Sequence, residues 1–183
     1  MKIISYQEKY KKDFVELNLV WIKKYFKVEP QDIEMLNNVE TYLEKGAEVY
    51  FAVEQDKVIA ACMIVPRENQ VWEICKLATD ERYMGKGAGS AVLKACMDYA
   101  KEQGARKLMI VSNTVLSAAM HLYAKAGFRE VPIDNMEYER VNIQLEKDVS
   151  SMVRGNGAGA EQPGTAALPD SGADGTCLDF AEW

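Results

Sequence analysis

Apolar residues near the start of the chain recur at steps of three and four, the spacing that places side chains on one face of a helix. The first such stretch covers residues 10–21 and the second covers residues 33–43, with charged residues between the apolar ones. Pro30 suits the first turn of a helix, and Gly46 interrupts the second pattern. These positions predict two successive amphipathic helices.

Short apolar runs bounded by polar turns predict strands. The first four candidates are residues 2–6, 49–53, 58–65 and 71–78. The last three are joined by short polar turns, one of which contains Pro66, so we expect them to run antiparallel.

Strand 71–78 leads into a glycine-rich turn, a helix that begins near Ala88 and ends at Gly104, and a strand at 106–112. This order predicts that the two strands lie parallel, with a right-handed crossover. A helix at 117–126 and strands at 128–131 and 138–145 complete the body. We therefore expect an α/β (α+β) fold, a mixed and mostly antiparallel seven-stranded sheet with helices on both faces.

The composition of the chain changes near residue 149. Residues 150–183 hold six of the twelve glycines and five acidic residues against one basic residue, and they lack apolar periodicity. Their few apolar side chains cannot offset an ordering cost of about 1–2 kcal/mol per residue. We predict a folded domain over residues 1–148 and a disordered, acidic, low-complexity tail over residues 149–183.

Overall composition narrows the class of protein. The chain has 183 residues, of which 48% are hydrophobic, as is usual for a soluble globular domain. Its net charge of -6 argues against a broad face that binds nucleic acid. Four widely spaced cysteines and a single histidine predict neither a metal site nor a disulfide framework. No apolar run approaches the roughly 20 residues that cross a membrane, so we expect a cytoplasmic protein without membrane or nucleic-acid partners.

Three glycines alternate where strand 71–78 feeds the following helix: Gly85, Gly87 and Gly89. Without Cβ atoms, such a turn can bring free N–H groups and the positive end of the helix against an anion. The pattern indicates a phosphate or pyrophosphate cradle, and the alternative is a tight turn that needs small residues only for packing. The spacing matches neither a Walker loop nor a Rossmann loop.

The chain resembles the GNAT superfamily of CoA-dependent N-acyltransferases over about residues 1–148. The resemblance rests on the loop M-G-K-G-A-G-S (Met84–Ser90) together with the later segment N-T-V-L-S-A-A-M-H-L-Y-A-K-A-G-F (Asn113–Phe128). It implies a GNAT fold, acetyl-CoA as cosubstrate, and direct transfer of the acetyl group to an amine.

The resemblance also assigns cofactor contacts. Backbone amides of the fourth strand would hold the pantetheine arm, at Leu77, Ala78 and Thr79. The loop would hold the pyrophosphate through Gly85, Lys86, Gly87, Ala88, Gly89 and Ser90.

Two positions depart from the family pattern. Met84 stands where glutamine or arginine is usual. Arg82 also fits the pattern, but that alignment would start the helix two residues early and place Gly89 in its first turn, so we prefer the alignment on Met84. Asn113 lies ten residues before the family tyrosine instead of seven, and it either faces the cofactor or caps the turn into the next helix.

Aminolysis of a thioester requires that the amine lose a proton, the carbonyl oxygen be polarised and the thiolate gain a proton. Alternation along strand 71–78 puts Glu73 on the same side as Cys75 and Leu77, which makes Glu73 the candidate base; the alternative is a structurally paired carboxylate. Tyr123 matches the family's general acid, and the alternative is a core aromatic.

The acceptor is expected to be a small-molecule or peptide amine, and the chain is compatible with a homodimer. One or two aromatic residues of the first helices could contact the acceptor, out of the set Trp21, Tyr25, Phe26 and Tyr42. The alternative functions are a CoA-binding sensor without turnover, which Met84 favours slightly, and a nucleotide-binding protein that uses the same glycines.

Overall fold

The computed structural model describes residues 1–134 and 139–149. The elements follow in chain order: β1 (Lys2–Ser5), α1 (Lys11–Tyr25), α2 (Pro30–Asn37), α3 (Val39–Glu44), β2 (Glu48–Glu54), β3 (Lys57–Pro66), β4 (Val71–Thr79), α4 (Ala88–Glu102), β5 (Lys107–Ser112), α5 (Ser117–Lys125), β6 (Arg129–Val131) and β7 (Ile143–Asp148). Short 3-10 turns lie at Glu8–Tyr10, Glu68–Gln70 and Glu81–Tyr83.

The strands form one seven-stranded sheet in the order β1-β2-β3-β4-β5-β7-β6. All neighbouring strands pair antiparallel except β4 and β5, which pair parallel. The helix α4 connects these two strands, as the strand, turn, helix, strand order requires. The expected mixed and mostly antiparallel sheet is confirmed.

Two apolar clusters cover the two faces of this sheet. One includes Val92 and Cys96 of α4 together with Leu108 of β5. The other includes Phe14 of α1 and Leu36 of α2. Helices therefore pack on both faces of the sheet. The apolar residues that recur every three or four positions in each helix form its buried side.

Two predicted elements have different bounds. The helix expected over residues 33–43 is broken at Asn38, whose side-chain amide donates to the carbonyl oxygen of Glu34 at 3.0 Å and competes with the backbone of the helix. The last strand, expected at 138–145, begins at Ile143 and ends at Asp148.

The described residues extend one position beyond residue 148, the predicted C-terminal end of the domain. Val149, assigned to the tail, donates its N–H to the carbonyl oxygen of Arg106 at 2.9 Å and packs against the core. The rest of the predicted disordered tail lies outside the described residues.

Candidate active site

The strands β4 and β5 pair over only three residues. The last pair is Glu73 with Met109, although β4 continues to Thr79 and β5 to Ser112. A cleft of about 470 Å³ occupies the space between the unpaired parts of the two strands. Along this edge, β4 presents peptide groups without a partner strand in the described part of the chain, so they are available to a ligand.

A β-bulge shapes the β4 wall of the cleft. Cys75 lies opposite Met63 and Ala78 lies opposite Ala61, so β4 has one residue more than β3 in this interval. Lys76 takes up the extra length with a left-handed φ of 50°. The prediction that Glu73, Cys75 and Leu77 share one side is wrong at Leu77, because the bulge shifts the alternation: Cys75 and Leu77 pack in opposite clusters.

The glycine turn has the conformation that the sequence predicts. Gly85 and Gly87 have φ of 79° and 83°, which favours glycine. A Cβ added at Gly89 would lie 3.1 Å from Oγ1 of Thr79, so this glycine allows α4 to approach β4 closely. The long helix α4 begins at Ala88, and its free N–H groups and positive end adjoin the turn.

Most of the predicted cofactor-binding residues line the cleft: Leu77, Ala78, Thr79, Met84, Gly85, Gly87, Ala88, Gly89 and Ser90. Lys86 does not line it, and its ammonium lies 5.3 Å from the centre of the Tyr83 ring.

The glycine motif can be aligned with either Met84 or Arg82 at the position where the family usually has glutamine or arginine. The structure favours Met84, but not for the reason expected from the start of the helix. Gly89 lies in the first turn of α4, so its position there does not count against the alignment on Arg82. Arg82 is instead turned away, since its guanidinium binds both carboxylate oxygens of Asp80 at 2.7 and 3.0 Å and it lines no part of the cleft. Met84 lines the cleft, which supports the preferred alignment.

Tyr123 projects from α5 onto the wall of the cleft. It is 6% exposed and belongs to the core cluster, where its ring contacts Phe128 edge-on at 6.2 Å. Burial raises the pKa of its hydroxyl well above the ordinary value, so the hydroxyl keeps its proton at neutral pH. The residue thus packs in the core and also lines the cleft with a protonated hydroxyl.

Glu73 and Asn113 do not line the cleft, although each is next in the chain to a residue that does. Glu73 is 1% exposed and accepts hydrogen bonds from the guanidinium of Arg67, so the carboxylate is structurally paired, but with an arginine and not with a lysine or the first helices as expected. Burial raises the pKa of Glu73 to about 7, against the opposing charge of Arg67. Asn113 donates to the carbonyl oxygen of Arg140 and accepts from the N–H of Val115, so it caps the turn before α5.

A model described as the acetyltransferase (GNAT) family matches residues 13–128. The chain belongs to the GNAT family.

Individual relatives agree with this assignment. The chain is 31% identical over 97 residues to the uncharacterized N-acetyltransferase YvbK of Bacillus subtilis, a match that covers 53% of this chain and 62% of that protein. It therefore spans less than two thirds of the relative's length.

Solved structures show the same fold. A GNAT-family acetyltransferase of Staphylococcus aureus superposes with a TM-score of 0.73 at 22% identity, over 80% of this chain and 98% of that one. The acetyltransferase yncA of Salmonella typhimurium, solved with its cofactor acetyl-CoA, superposes with a TM-score of 0.64 at 14% identity, over 88% of this chain and 98% of that one.

This GNAT chain also contains a charged network that the sequence did not reveal. The ammonium of Lys76 donates to Oδ1 of Asp32 at 2.9 Å, and Arg140 donates to Oδ2 of Asp32 at 2.8 Å. Burial lowers the pKa of Lys76 to about 8, against the attraction of Asp32. Burial would raise the pKa of Asp32, but the hydrogen bonds from Arg140 and the charge of Lys76 hold it below its ordinary value.

Two aromatic residues of α1, Trp21 and Tyr25, line the cleft on the side opposite α5. Among the described residues that line it, Glu81 is the acidic one, and its carboxylate pairs with Lys24. Of the other two candidate aromatics, Phe26 packs beside the guanidinium of Arg140, and Tyr42 donates to Glu34 at 2.6 Å.

Two features are absent from residues 1–134 and 139–149. No cluster of three histidine, cysteine, aspartate or glutamate side chains is arranged there to bind a metal ion. No helix in this part of the chain has the length and apolarity to cross a membrane.

Proposed function

We propose that this protein transfers the acetyl group of acetyl-CoA to an amine of a small molecule or a peptide, by direct attack of the amine. The observation that carries the proposal is the cleft at the separation of β4 and β5, which has the glycine turn at one end and Tyr123 on its wall. The structural similarity to yncA, which was solved with acetyl-CoA, supports the choice of cosubstrate.

The residues present fit acetyl-CoA. The N-terminus of α4 and the left-handed glycines offer N–H groups to a pyrophosphate, and the first turn of α4 carries no acidic side chain that would repel it. The unpaired edge of β4 from Ile74 to Thr79 offers peptide groups to the amide-containing pantetheine arm. Acetyl-CoA would supply an acetyl group activated as a thioester.

The chain's own residues would perform four tasks. Peptide N–H groups of β4 near Leu77 would polarise the carbonyl oxygen, because the strand is unpaired there. The protonated hydroxyl of Tyr123 would donate to the leaving sulfur. Trp21 and Tyr25 would wall the acceptor side and exclude water. Glu73 stays the predicted base, acting through water because it does not line the cleft.

The test is acetylation of a panel of amines with purified protein and acetyl-CoA. The panel contains polyamines, aminoglycosides, amino acids and peptides with free N-termini, and chromatography of CoA and mass spectrometry of the acetylated product measure the reaction. We expect amine-dependent release of CoA with a stoichiometric product. Tight binding of CoA without turnover of any amine would instead support the sensor, and thermal protection by ATP but not by CoA would support the nucleotide-binding protein.

A further inference from the structure

The lysine in the wall of the cleft is the least expected side chain of β4. Lys76 is 1% exposed and has a φ of 50°. Lysine is almost never fully buried unless it is paired, and left-handed backbone costs free energy for a residue with a side chain. Both features occur where the register between β3 and β4 shifts, and a contact from outside the strand can stabilise this conformation.

That contact is the carboxylate of Asp32, in the first turn of α2. Asp32 is 2% exposed and lies 2.9 Å from the ammonium of Lys76. The carboxylate is itself fixed from two other directions, by the N–H of Glu29 at 3.0 Å and by the guanidinium of Arg140. A carboxylate held this firmly gives the lysine one defined position.

This pair joins the acceptor side of the molecule to the cofactor side. Asp32 belongs to α2, which packs with α1, the helix that supplies Trp21 and Tyr25 to the cleft. Lys76 lies between Cys75 and Leu77, which line the same cleft and pack on opposite faces of the sheet. A displacement of the bulge would therefore move the free edge of β4 relative to Tyr123 on the other wall.

We propose that Lys76 and Asp32 are positioning residues, whose buried ion pair fixes the β4 bulge so that the peptide groups near Leu77 meet the thioester end of acetyl-CoA. This inference rests on the proposed function. The pair joins β4 to α2, whereas the glycine turn and the start of α4 form the phosphate end of the cleft, so we expect the pair to affect the thioester end of the cofactor and not its phosphate end.

A purely structural role predicts a different pattern. A structural pair would lower the melting temperature and weaken all ligands together. A positioning pair weakens only those ligands that reach the bulge. Two ligands separate these cases: acetyl-CoA, and 3′-phosphoadenosine 5′-diphosphate, which is CoA without its pantetheine arm.

The experiment uses Lys76→Met in the full chain, because methionine matches the four-carbon stem of lysine without the ammonium and leaves Asp32 paired with Arg140. Calorimetry measures the affinity of both ligands. We expect the adenosine ligand to bind within about twofold of wild type and acetyl-CoA to bind about tenfold more weakly. Amide exchange at Leu77 and Ala78 should rise about tenfold, with exchange in α4 unchanged.

Lys107→Met is the matched control, because it removes a lysine paired at 3.1 Å with Glu146 between β5 and β7, outside the cleft lining. It should leave both affinities unchanged. Unchanged acetyl-CoA affinity and amide exchange in folded Lys76→Met would overturn the inference while the proposed function stands. If wild type does not bind acetyl-CoA, the proposed function itself fails.

A second variant covers loss of folding. Asp32→Asn keeps hydrogen-bonding atoms at the site but removes the charge that holds Lys76. If Lys76→Met does not fold, the same selective loss of acetyl-CoA affinity in Asp32→Asn supports the inference. If neither variant folds, or if Asp32→Asn weakens both ligands equally, the pair is structural and the inference is wrong.

Discussion

We predict that replacement of Gly87 by aspartate weakens the binding of CoA. Gly87 precedes the first residue of α4, where its φ is 83° and an added Cβ would meet no atom within 4 Å. The new side chain therefore fits without collision, and its cost to folding is the conformational strain of about 1–2 kcal/mol. A domain with about 5–15 kcal/mol of stability survives this loss.

The effect on CoA comes from charge. A carboxylate about 5 Å from a phosphate oxygen would repel it by roughly 1–3 kcal/mol, where the lower value applies for the dielectric constant of water and the higher value for that of a protein surface. This repulsion corresponds to a loss of about 5- to 150-fold in affinity. Gly87→Asn has nearly the same shape without the charge. The ratio of the dissociation constants of the two variants therefore isolates the repulsion, and it should shrink as salt is added.

Gly104→Asp controls for strain, because Gly104 has a φ of 88° and equally open surroundings at the other end of α4. Calorimetric titration with CoA and thermal unfolding are measured for all three variants. We expect a lower melting temperature for Gly104→Asp than for Gly87→Asp, because a carboxylate is unfavourable at the C-terminus of a helix and favourable at its N-terminus, whereas CoA binding should weaken only in Gly87→Asp. Equal CoA affinity of Gly87→Asp and Gly87→Asn at low salt would show that the turn is not the phosphate cradle.

Three further changes test other parts of the molecule. Tyr123→Phe should lower kcat by about 10²–10⁴-fold with little change in the KM for acetyl-CoA, since the buried ring is kept and the proton donor is lost; turnover at the wild-type rate would leave Tyr123 as a core aromatic. Because the pKa of Glu73 is raised from 4.5 to about 7, the folded state favours its protonated form, so stability is lost as pH rises through this interval. Between these pH values, urea unfolding should show that the free energy of unfolding of wild type falls by about 3 kcal/mol relative to that of Glu73→Gln. The pH profile of kcat tests catalysis separately: if its acidic limb disappears in Glu73→Gln, Glu73 is the base. Truncation after Val149 should leave the melting temperature and the acetyl-CoA affinity unchanged, and a fall of more than a few degrees would show that the removed residues dock on the domain.

The glycine turn and the parallel strand unit could be predicted because their signals are local. Alternating glycines at 85, 87 and 89 indicate the backbone conformation directly, and two of these three, Gly85 and Gly87, have a left-handed φ. The succession of strand, turn, helix and strand limits the topology through chain handedness alone. Both features are therefore encoded within about 40 residues of continuous sequence.

The bulge and its ion pair could not be predicted in the same way. A bulge is a difference in residue number between two paired strands, so it depends on the register of β3 as much as on β4. Asp32 is 44 residues from Lys76 and 108 from Arg140. The local signal was the lysine itself, a charged residue inside an otherwise apolar half of β4, which requires a partner that the sequence does not name.

The location of Glu73 explains why β4 pairs with β5 in its first part and separates from it in its second part. Glu73 occupies the last position at which β4 pairs with β5, and Arg67 holds it there from the turn before the strand. Three residues further along β4, in the part that no longer pairs with β5, the ammonium of Lys76 donates to the carboxylate of Asp32. Where β4 separates from β5, it loses the hydrogen bonds that join the two strands. The side-chain pairs of Glu73 and Lys76, one before and one after this point, confine the separation to a short stretch of β4. The same strand can therefore be a rigid part of the sheet up to Glu73 and an open wall of the cleft from Ile74 onward.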